Sequence, residues 1–367
     1  MHDVACEGDF RVPKPSLPRR LAIALGAALC AGALFEIGLR IYLFEVADPE
    51  RLTKYARFDD LPPQAHIFGG HPFTNYRLNE GYRSRDGKSR HDALGLRGGD
   101  VALPKARGTY RIVCIGGSTT YCTEIREDSA TYPAQLEHML RERYGHEQVE
   151  VLNAGVGGWS SWECLIDLEL RLLDLEPDLL VVYHGINDVY PRFVPPERYR
   201  GDDTGLIRQW QPGAAWWEHS LLLRCIGVKL GFARGNALQD LVHISYPRLD
   251  LDACLDANPP VHFARNLEST IALARHFHVD LMLATFAWCG GRKDYVSSPA
   301  YQRAIHEGND VIRSAAAKNS VPLLELSSAM DPDPALWADS RHVNAAGARV
   351  MAGLFARFVH ERFLAPR

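Results

Sequence analysis

Five residues in four short segments of this sequence have the side chains and spacing that acyl transfer requires. Ser118 follows two glycines, so its hydroxyl is a candidate nucleophile and its backbone N–H a candidate oxyanion donor. Asp339 precedes His342 by three residues, so its carboxylate can orient an imidazole that deprotonates a serine. Gly158 and Asn187 lie between these segments and could supply a backbone and a side-chain donor to an oxyanion. Together they predict a Ser118–His342–Asp339 catalytic triad.

Each segment taken alone has a simpler interpretation. Ser118 also fits a helix N-cap, the glycines around Gly158 fit a turn, and Asn187 fits an Asx turn. The Asp-x-x-His segment also fits a surface loop. A phosphate-binding loop is disfavoured because the GK[ST] ending is missing. The GxSxG motif also fails, because Thr120 stands where a glycine is needed.

The four segments follow the elements of a predicted α/β domain. Apolar runs predict strands at 110–115, 149–154, 179–183, 280–286 and 321–326, and helical spacing predicts helices at 130–144, 162–175, 261–278, 299–319 and 344–363. Continuous apolar strands fit a parallel sheet covered on both faces, and their alternation with helices predicts a doubly wound domain. Ligands bind beyond the carboxyl ends of such strands, where the first three segments lie.

The order of these segments resembles the SGNH/GDSL hydrolase superfamily, whose four marker residues are Ser, Gly, Asn and His. Ser118 matches the nucleophile, Gly158 and Asn187 the oxyanion donors, His342 the base and Asp339 its orienting acid. The resemblance extends from residue 110 to the C-terminus. It implies a flavodoxin-like three-layer α/β/α sandwich with a central parallel sheet, and a serine esterase that uses no metal or organic cofactor.

One position departs from the family pattern. Gly117 stands where the name-giving motif has Asp. That Asp is not a triad member, so the implied chemistry is retained, but the change indicates a divergent branch. An apolar N-terminal segment followed by a GGSTT block is similar to uncharacterised bacterial envelope members of the superfamily.

The N-terminus predicts a transmembrane anchor at residues 21–46. This stretch follows Arg19 and Arg20, contains only two charged residues before its last turn, and is long enough to span a bilayer, which takes about 20 residues. Those charges, Glu36 and Arg40, lie four residues apart and can pair on one helix face. Basic residues before the anchor predict a cytoplasmic tail at 1–20 and a periplasmic or otherwise extracytoplasmic remainder. A cleaved signal peptide, which would give a secreted protein, and a buried amphipathic helix are the alternatives.

The remaining chain divides into an arm, a hydrolase domain and an insertion. Residues 47–108 predict a juxtamembrane arm that packs on the domain, with a partly flexible linker as the alternative. Residues 109–367 form the predicted hydrolase domain. Its insertion at 194–260 contains Trp210, Trp216 and Trp217 and is too long for an ordinary loop, so it is interpreted as a lid or substrate wall.

These features predict hydrolysis of an O-acyl ester, with an acylated envelope carbohydrate as a candidate substrate because Trp159 and Trp162 could stack on sugars. Transfer of the acyl group to a sugar hydroxyl and a non-catalytic polysaccharide-binding module are the alternatives. A net charge of -4 without a basic stripe disfavours nucleic acid as a partner. Two cysteine pairs could form disulfides in an oxidising compartment, Cys122 with Cys164 or Cys225 with Cys254.

Overall fold

The computed structural model describes residues 16–207, 215–235, 243–244, 246 and 248–365. Their contacts divide them into two compact units. The N-terminal unit comprises residues 16–60 and 215–235, and the α/β unit comprises the other described residues from 61 onward. Most of the predicted tail, together with Trp210, lies outside the described residues.

The α/β unit contains a five-stranded, wholly parallel sheet. Its strands are β3 (Tyr110–Gly116), β4 (Val149–Gly155), β5 (Leu179–Tyr183), β6 (Asp280–Ala284) and β7 (Leu323–Leu324). They are ordered β4-β3-β5-β6-β7, which is the flavodoxin-like order of a doubly wound sheet. The predicted central parallel sheet is therefore confirmed.

Helices cover both faces of this sheet because successive strand residues point to opposite sides. Ile112 and Cys114 of β3 pack in one buried cluster, while Val113 and Ile115 pack in another. Helices Tyr132–Glu142 and Ala345–Val359 belong to the first cluster, and helices Ser161–Asp167 and Val261–His276 belong to the second. The three-layer α/β/α sandwich is confirmed. The other described α-helices are Leu17–Ile41, Pro49–Tyr55, Ser118–Tyr121, Ile186–Val189, Leu221–Leu230, Leu251–Ala257, Pro299–Asn319 and Leu326–Ala329.

The last strand is shorter than the sequence predicts. A strand was expected over 321–326, but β7 has two residues and a helix begins at Leu326. The backbone N–H of Ser327 donates to the Thr285 hydroxyl at 3.0 Å, which ties the chain down beyond the strand end. The sheet therefore ends in a very short edge strand, a common way to prevent pairing with other chains.

Residues 61–108 pack within the α/β unit. The division into an arm at 47–108 and a hydrolase domain from residue 109 stays a prediction. They form a hairpin of β1 (Phe68–His71) and β2 (Asn75–Leu78). Tyr76 donates its hydroxyl to the carbonyl of Gly157 at 3.0 Å and accepts the Trp159 indole N–H on its own carbonyl at 3.1 Å. These contacts fix the loop after β4 and favour a packed arm over a flexible linker.

Arg97 anchors the same arm to the segment that follows Ser118. Its buried guanidinium donates to the carbonyls of Tyr121, Cys122 and Ile125 at 2.7, 2.9 and 2.6 Å. A charged side chain this deeply buried is stable only when its donors are satisfied. The arm therefore helps to hold the backbone around the candidate nucleophile.

The N-terminal unit is built on the helix Leu17–Ile41, which continues through a π-helical turn at Tyr42–Val46. Among the described residues it is the one helix long and apolar enough to cross a membrane, and its most apolar window contains no buried residue. A membrane anchor and a signal sequence both fit this length and composition. Glu36 and Arg40 form the predicted ion pair, with Nε and Oε1 2.8 Å apart.

The described cysteines are all free thiols. They are Cys30, Cys114, Cys122, Cys164, Cys225, Cys254 and Cys289. Neither of the two suggested pairings is formed in the structure. Burial raises the pKa of the Cys122 thiol to about 11, as expected for an unreactive core residue.

Candidate active site

The three predicted triad residues lie in one hydrogen-bonded chain. Ser118 begins the short helix that follows β3, and its Oγ lies 2.8 Å from Nε2 of His342. Nδ1 of His342 lies 2.8 Å from Oδ2 of Asp339. In this arrangement one imidazole nitrogen can take the serine proton while the carboxylate holds the other nitrogen protonated.

The loop that carries Asp339 and His342 is held by its own backbone. Oδ1 of Asp339 accepts the N–H groups of Arg341 and His342 at 2.9 and 2.7 Å, which leaves Oδ2 for the imidazole. Directly after the loop, Asn344 caps the last helix by accepting the Gly347 N–H. The Asp-x-x-His spacing thus closes a local turn that aims both side chains in one direction.

Asp339 is a carboxylate at neutral pH. Partial burial by itself raises its pKa, but hydrogen bonds from His342 and Arg341 and the guanidinium of Arg341 together hold the pKa well below its usual range. A fixed negative charge next to the imidazole stabilises the imidazolium that forms when His342 accepts a proton. The environment of Asp339 is therefore suited to the orienting role.

The predicted oxyanion donors lie on neighbouring loops at the carboxyl edge of the sheet. Gly158 lies in the turn after β4 with φ +83°, a left-handed conformation that favours glycine. Among the described residues, no acceptor is hydrogen-bonded to the N–H of Ser118 or of Gly158. Asn187 is the second residue of the helix Ile186–Val189 after β5 and donates one amide N–H to the Trp159 carbonyl at 2.8 Å, so its second amide hydrogen remains for a ligand.

Gly117 is the point at which these loops meet. A Cβ atom on Gly117 would lie 2.3 Å from Nδ2 of Asn187 and 3.0 Å from the carbonyl oxygen of Trp159. The amide of Asn187 therefore packs against the backbone immediately before Ser118. This contact gives a physical reason for glycine at the position where the family motif has Asp: a side chain here would push the Asn187 amide away.

Buried acids support the oxyanion loops, and the sequence reasoning missed them. Asp188 accepts the backbone N–H and the hydroxyl of Ser161 at 3.0 and 2.6 Å, which ties the loop after β5 to the helix after β4. Glu163 and Asp203 both lie within hydrogen-bond distance of the Ser160 hydroxyl, at 2.8 and 2.7 Å. The Ser-x-x-Glu capping box at 160–163 is a readable sequence signal, whereas nothing in the sequence points to Asp203.

The Ser160 hydroxyl carries one hydrogen and cannot donate to both carboxyl groups at once. One of the two acids must therefore hold a proton and donate it to the serine oxygen. Burial and the neighbouring Asp203 raise the pKa of Glu163 to about 8, and burial raises that of Asp203 to about 6. At neutral pH the two acids therefore hold one proton between them and carry a single negative charge, and they support the loop through hydrogen bonds to Ser160.

A third acid lies near the triad. Glu124, which is exposed, has a carboxylate oxygen within 4.8 Å of ligand atoms of both Asp339 and His342. Two members of this group already hydrogen-bond each other, so a cation bound here would compete with Ser118 for the imidazole. The sequence prediction that no metal is needed stays a prediction.

The two tryptophans suggested as sugar platforms differ in exposure. Trp159 is 1% exposed and its indole is hydrogen-bonded to Tyr76, so it has no face available for a sugar. Trp162 is half-buried and lines a cavity of about 530 Å³ together with His71 and Phe73. Of the two, only Trp162 remains a candidate for stacking.

Residues 114–350 match the model of the GDSL-like Lipase/Acylhydrolase family. Among solved structures, the chain is similar to a lipase/acylhydrolase from Enterococcus faecalis (21% identity, 71% of this chain and 99% of that chain, TM-score 0.44). It is also similar to an acetyl xylan esterase from Geobacillus stearothermophilus (17%, 70% and 97%, 0.45) and to an alpha/beta hydrolase from the metagenome of Lake Arreo, Spain (18%, 72% and 100%, 0.44). No protein with a curated description matches it. Because the family model spans well over half of the chain, this protein belongs to the GDSL-like lipase/acylhydrolase family and is an esterase of the SGNH type.

Proposed function

We propose that the protein hydrolyses O-acyl esters through an acyl-enzyme formed on Ser118. His342 Nε2 accepts the hydroxyl proton as Oγ attacks the ester carbonyl, and the same proton then goes to the departing alcohol. Water attacks the acyl-enzyme, His342 takes a proton from it, and the proton returns to Ser118 as the acid leaves. The N–H groups of Ser118 and Gly158 and the amide of Asn187 stabilise the oxyanion in both steps.

One observation carries this proposal. A single imidazole is hydrogen-bonded through one nitrogen to Ser118 Oγ and through the other to Asp339 Oδ2, both at 2.8 Å. A module that only binds polysaccharide has no need for a serine, a base and an ionised acid in this geometry. The relay therefore favours a hydrolase over the non-catalytic alternative.

Labelling with a fluorophosphonate probe tests the assignment. The wild-type chain should be labelled, and Ser118→Ala should lose all labelling and lose hydrolysis by roughly 10⁴-fold or more. Ser129→Ala removes an exposed hydroxyl from the same unit and should be labelled like wild type. Equal labelling of Ser118→Ala and wild type rules out the proposed nucleophile.

We propose an acylated carbohydrate as the substrate class. The cavity lined by Trp162, His71 and Phe73 has a volume typical of small-ligand sites, and an aromatic wall suits a sugar face. On this basis Trp162→Ala should raise KM for acetylated oligosaccharides while leaving hydrolysis of a small aryl acetate unchanged. An equal loss on both substrates, or a preference of the wild type for long acyl chains, contradicts the sugar assignment.

We propose that the N-terminal helix is retained as an anchor, with its N-terminus cytoplasmic and the α/β unit extracytoplasmic. Glu36 supports retention, since its carboxylate accepts the backbone N–H groups of Leu221 and Leu222 at 2.9 and 2.8 Å. Cleavage of a signal sequence after this helix would remove those acceptors. A C-terminal reporter that is active only outside the cytoplasm, together with an intact N-terminus in the mature protein, is expected. A mature chain that starts after residue 46 contradicts the anchor.

A further inference from the structure

The helix Leu221–Leu230 has an unusual distribution of side chains. One face packs inside the N-terminal unit through Leu221, Arg224 and Gly227. On the opposite face Leu223, Ile226 and Leu230 are 48%, 44% and 64% exposed. Their spacing of three and four residues places them on one stripe of the helix. The helix therefore presents leucine and isoleucine outward and holds its arginine inward.

Exposed aromatic residues lie on either side of the helix in the chain. Trp216 precedes the helix and is 84% exposed, and Phe232 follows it and is 78% exposed. Five large apolar side chains are thus exposed within residues 216–232, and large exposed apolar patches on proteins often mark sites of interaction with a membrane or a partner. Tryptophan and phenylalanine beside an amphipathic helix are typical of segments that lie in a membrane interface.

The inner side of the helix is bound to the membrane-spanning candidate by polar contacts. Besides the two backbone N–H groups that it accepts, Glu36 accepts the Ser220 hydroxyl at 3.0 Å, and Arg40 donates to the His219 carbonyl at 2.8 Å. Arg224 forms a buried ion pair with Glu218 and donates to the Tyr55 carbonyl at 2.9 Å. The polar groups of Glu36, Ser220 and Arg224 are thus bound within the unit, whereas the stripe of Leu223, Ile226 and Leu230 is left exposed.

The depth of these contacts fits the edge of a bilayer. A helix rises 1.5 Å per residue, so Glu36 lies about 24 Å and Arg40 about 30 Å along the helix from Arg20. The hydrocarbon core is about 30 Å thick. If Arg20 marks the cytoplasmic boundary, Glu36 and Arg40 lie near the opposite boundary. The helix that they hold then lies at the level where interfacial helices bury their apolar faces by about 5–10 Å.

We infer that the stripe formed by Leu223, Ile226 and Leu230, with Trp216 and Phe232, inserts into the outer leaflet of the bilayer as a second membrane contact. The occupant of this face is phospholipid, because the stripe belongs to the same compact unit as the exposed apolar helix Leu17–Ile41. Exposed Lys229 borders the stripe and can extend toward headgroup phosphates. This inference rests on the proposed anchor and goes beyond it by making the insertion a membrane-binding element.

Photo-crosslinking of the full chain in phosphatidylethanolamine and phosphatidylglycerol vesicles tests the inference. A benzophenone amino acid replaces Ile226 or Leu230 in separate samples. Leu29, within the N-terminal helix, serves as the positive control, and Phe277, an exposed apolar residue of the α/β unit, as the negative control. The yield of lipid adducts at positions 226 and 230 should match the yield at position 29, and no lipid adducts should form at position 277.

The outcomes separate this inference from the anchor proposal. Adducts at 29 without adducts at 226 and 230 overturn the interfacial contact and leave the anchor intact. Adducts to protein instead of lipid at 226 and 230 overturn it in favour of a protein partner. Absence of lipid adducts at 29 removes the anchor and this inference with it.

A second measurement avoids the benzophenone side chain. Lipids brominated near the headgroup should quench the fluorescence of the wild-type chain more than lipids brominated near the chain ends. Trp216→Phe should lose that difference, since Trp216 is the strongly exposed indole among the described residues. An unchanged quenching pattern in Trp216→Phe would falsify the placement of this residue in the leaflet.

Discussion

The two units of this protein arrange the same kinds of side chain in opposite ways. In the α/β unit, buried apolar clusters enclose the sheet. In the N-terminal unit the helix Leu17–Ile41 contains no buried residue, and its large apolar side chains other than Leu39 are more than half exposed. The buried side chains there include Arg224 and Glu218, which pair with each other.

This difference shows what surroundings each unit is built for. A buried ion pair is costly to desolvate and contributes little to stability unless its remaining donors are satisfied, as those of Arg224 are by backbone carbonyls. An exposed leucine surface is unfavourable in water and favourable in lipid. The α/β unit therefore encloses its apolar side chains by itself, whereas the exposed apolar helix of the N-terminal unit is accounted for by the proposed membrane anchor. A substitution in one unit should therefore leave the activity, stability or membrane binding that depends on the other unit unchanged.

The largest effect is expected for Asp339→Asn. The amide keeps the shape of the acid but loses its charge and favours the wrong imidazole tautomer, so kcat should fall by roughly 10³–10⁴-fold. Steady-state hydrolysis of a small aryl ester measures this loss. Membrane retention of the variant should equal that of wild type, because the change lies in the α/β unit. Near-normal turnover in Asp339→Asn contradicts its assignment to the triad.

A smaller loss is expected for Gly117→Ala. The added methyl group displaces the Asn187 amide, and loss of one oxyanion donor costs roughly 10²–10³ in kcat. The atom that must move most is the end of a flexible side chain, and the Trp159 carbonyl oxygen, 3.0 Å from the new Cβ, needs to shift only slightly, so the free energy of unfolding should fall less than in Gly185→Ala.

Gly185→Ala is the matched control for Gly117→Ala. A Cβ on Gly185 would lie 2.1 Å from Cγ of the buried Phe286, a rigid ring that cannot move aside, so stability should fall by about 1–3 kcal/mol or more. Thermal unfolding and kcat measured on both variants separate the two effects. A stability loss in Gly117→Ala as large as that in Gly185→Ala would show that Gly117 is needed for packing rather than for the position of Asn187.

The buried acids should make the free energy of unfolding of the α/β unit depend on pH. Glu163 has a pKa of about 8 in the folded chain, whereas an unfolded glutamate loses its proton near pH 4.3. Between these values the folded state holds a proton that the unfolded state has lost, so the free energy of unfolding falls as pH rises, by at most about 1.4 kcal/mol per pH unit. Glu163→Gln should reduce this slope, with denaturant unfolding followed by the fluorescence of buried Trp159 and Trp337.

The exposed acid Glu124 provides the control for that experiment. Glu124→Gln removes a carboxylate from the same unit without touching the Ser160 cluster, and should leave the slope as in wild type. A slope that does not change in Glu163→Gln would mean that the shared proton lies on another group. Asp203, whose pKa is raised to about 6, is then the first candidate.

The sequence could predict the parts of the fold and site that depend on local pattern. The strand at 179–183 and the helix at 299–319 have the predicted bounds, because continuous apolar runs and helical spacing are properties of neighbouring residues. Ser118, Gly158, Asn187, Asp339 and His342 were chosen as candidates in the same way, since each lies in a short motif at the end of an element, and their catalytic roles stay predictions.

What the sequence could not predict depends on residues that are distant in the chain. Asp203 lies 43 residues beyond Ser160, and no local pattern marks it as buried. Arg97 reads as a surface charge until its partners at 121–125 are known. Half-exposed and buried tryptophans also look alike in a sequence, which is why Trp159 was misread as a sugar platform.

The insertion was interpreted as a lid, yet residues 215–235 pack with the N-terminal helix because Glu36 caps their helix. The lid interpretation stays a prediction for the rest of the insertion.

The smallest effect is expected for Glu36→Gln, which tests the N-terminal unit alone. Glutamine keeps one acceptor but loses the charge at the start of the helix Leu221–Leu230, and loss of such a cap costs about 0.5–2 kcal/mol. Trypsin should then cleave after exposed Lys229 faster than in wild type. Since 1.4 kcal/mol corresponds to a tenfold change in an equilibrium constant, the expected increase in the cleavage rate is about 2- to 30-fold. Hydrolysis by the α/β unit should be unchanged.

Asp59→Asn is the control for Glu36→Gln. It removes an exposed acid from the N-terminal unit and should leave trypsin cleavage unaltered, since surface ion pairs contribute little to stability. If Glu36→Gln instead lowers kcat with no change in proteolysis, Glu36 acts on catalysis and the separation of roles between the two units is wrong.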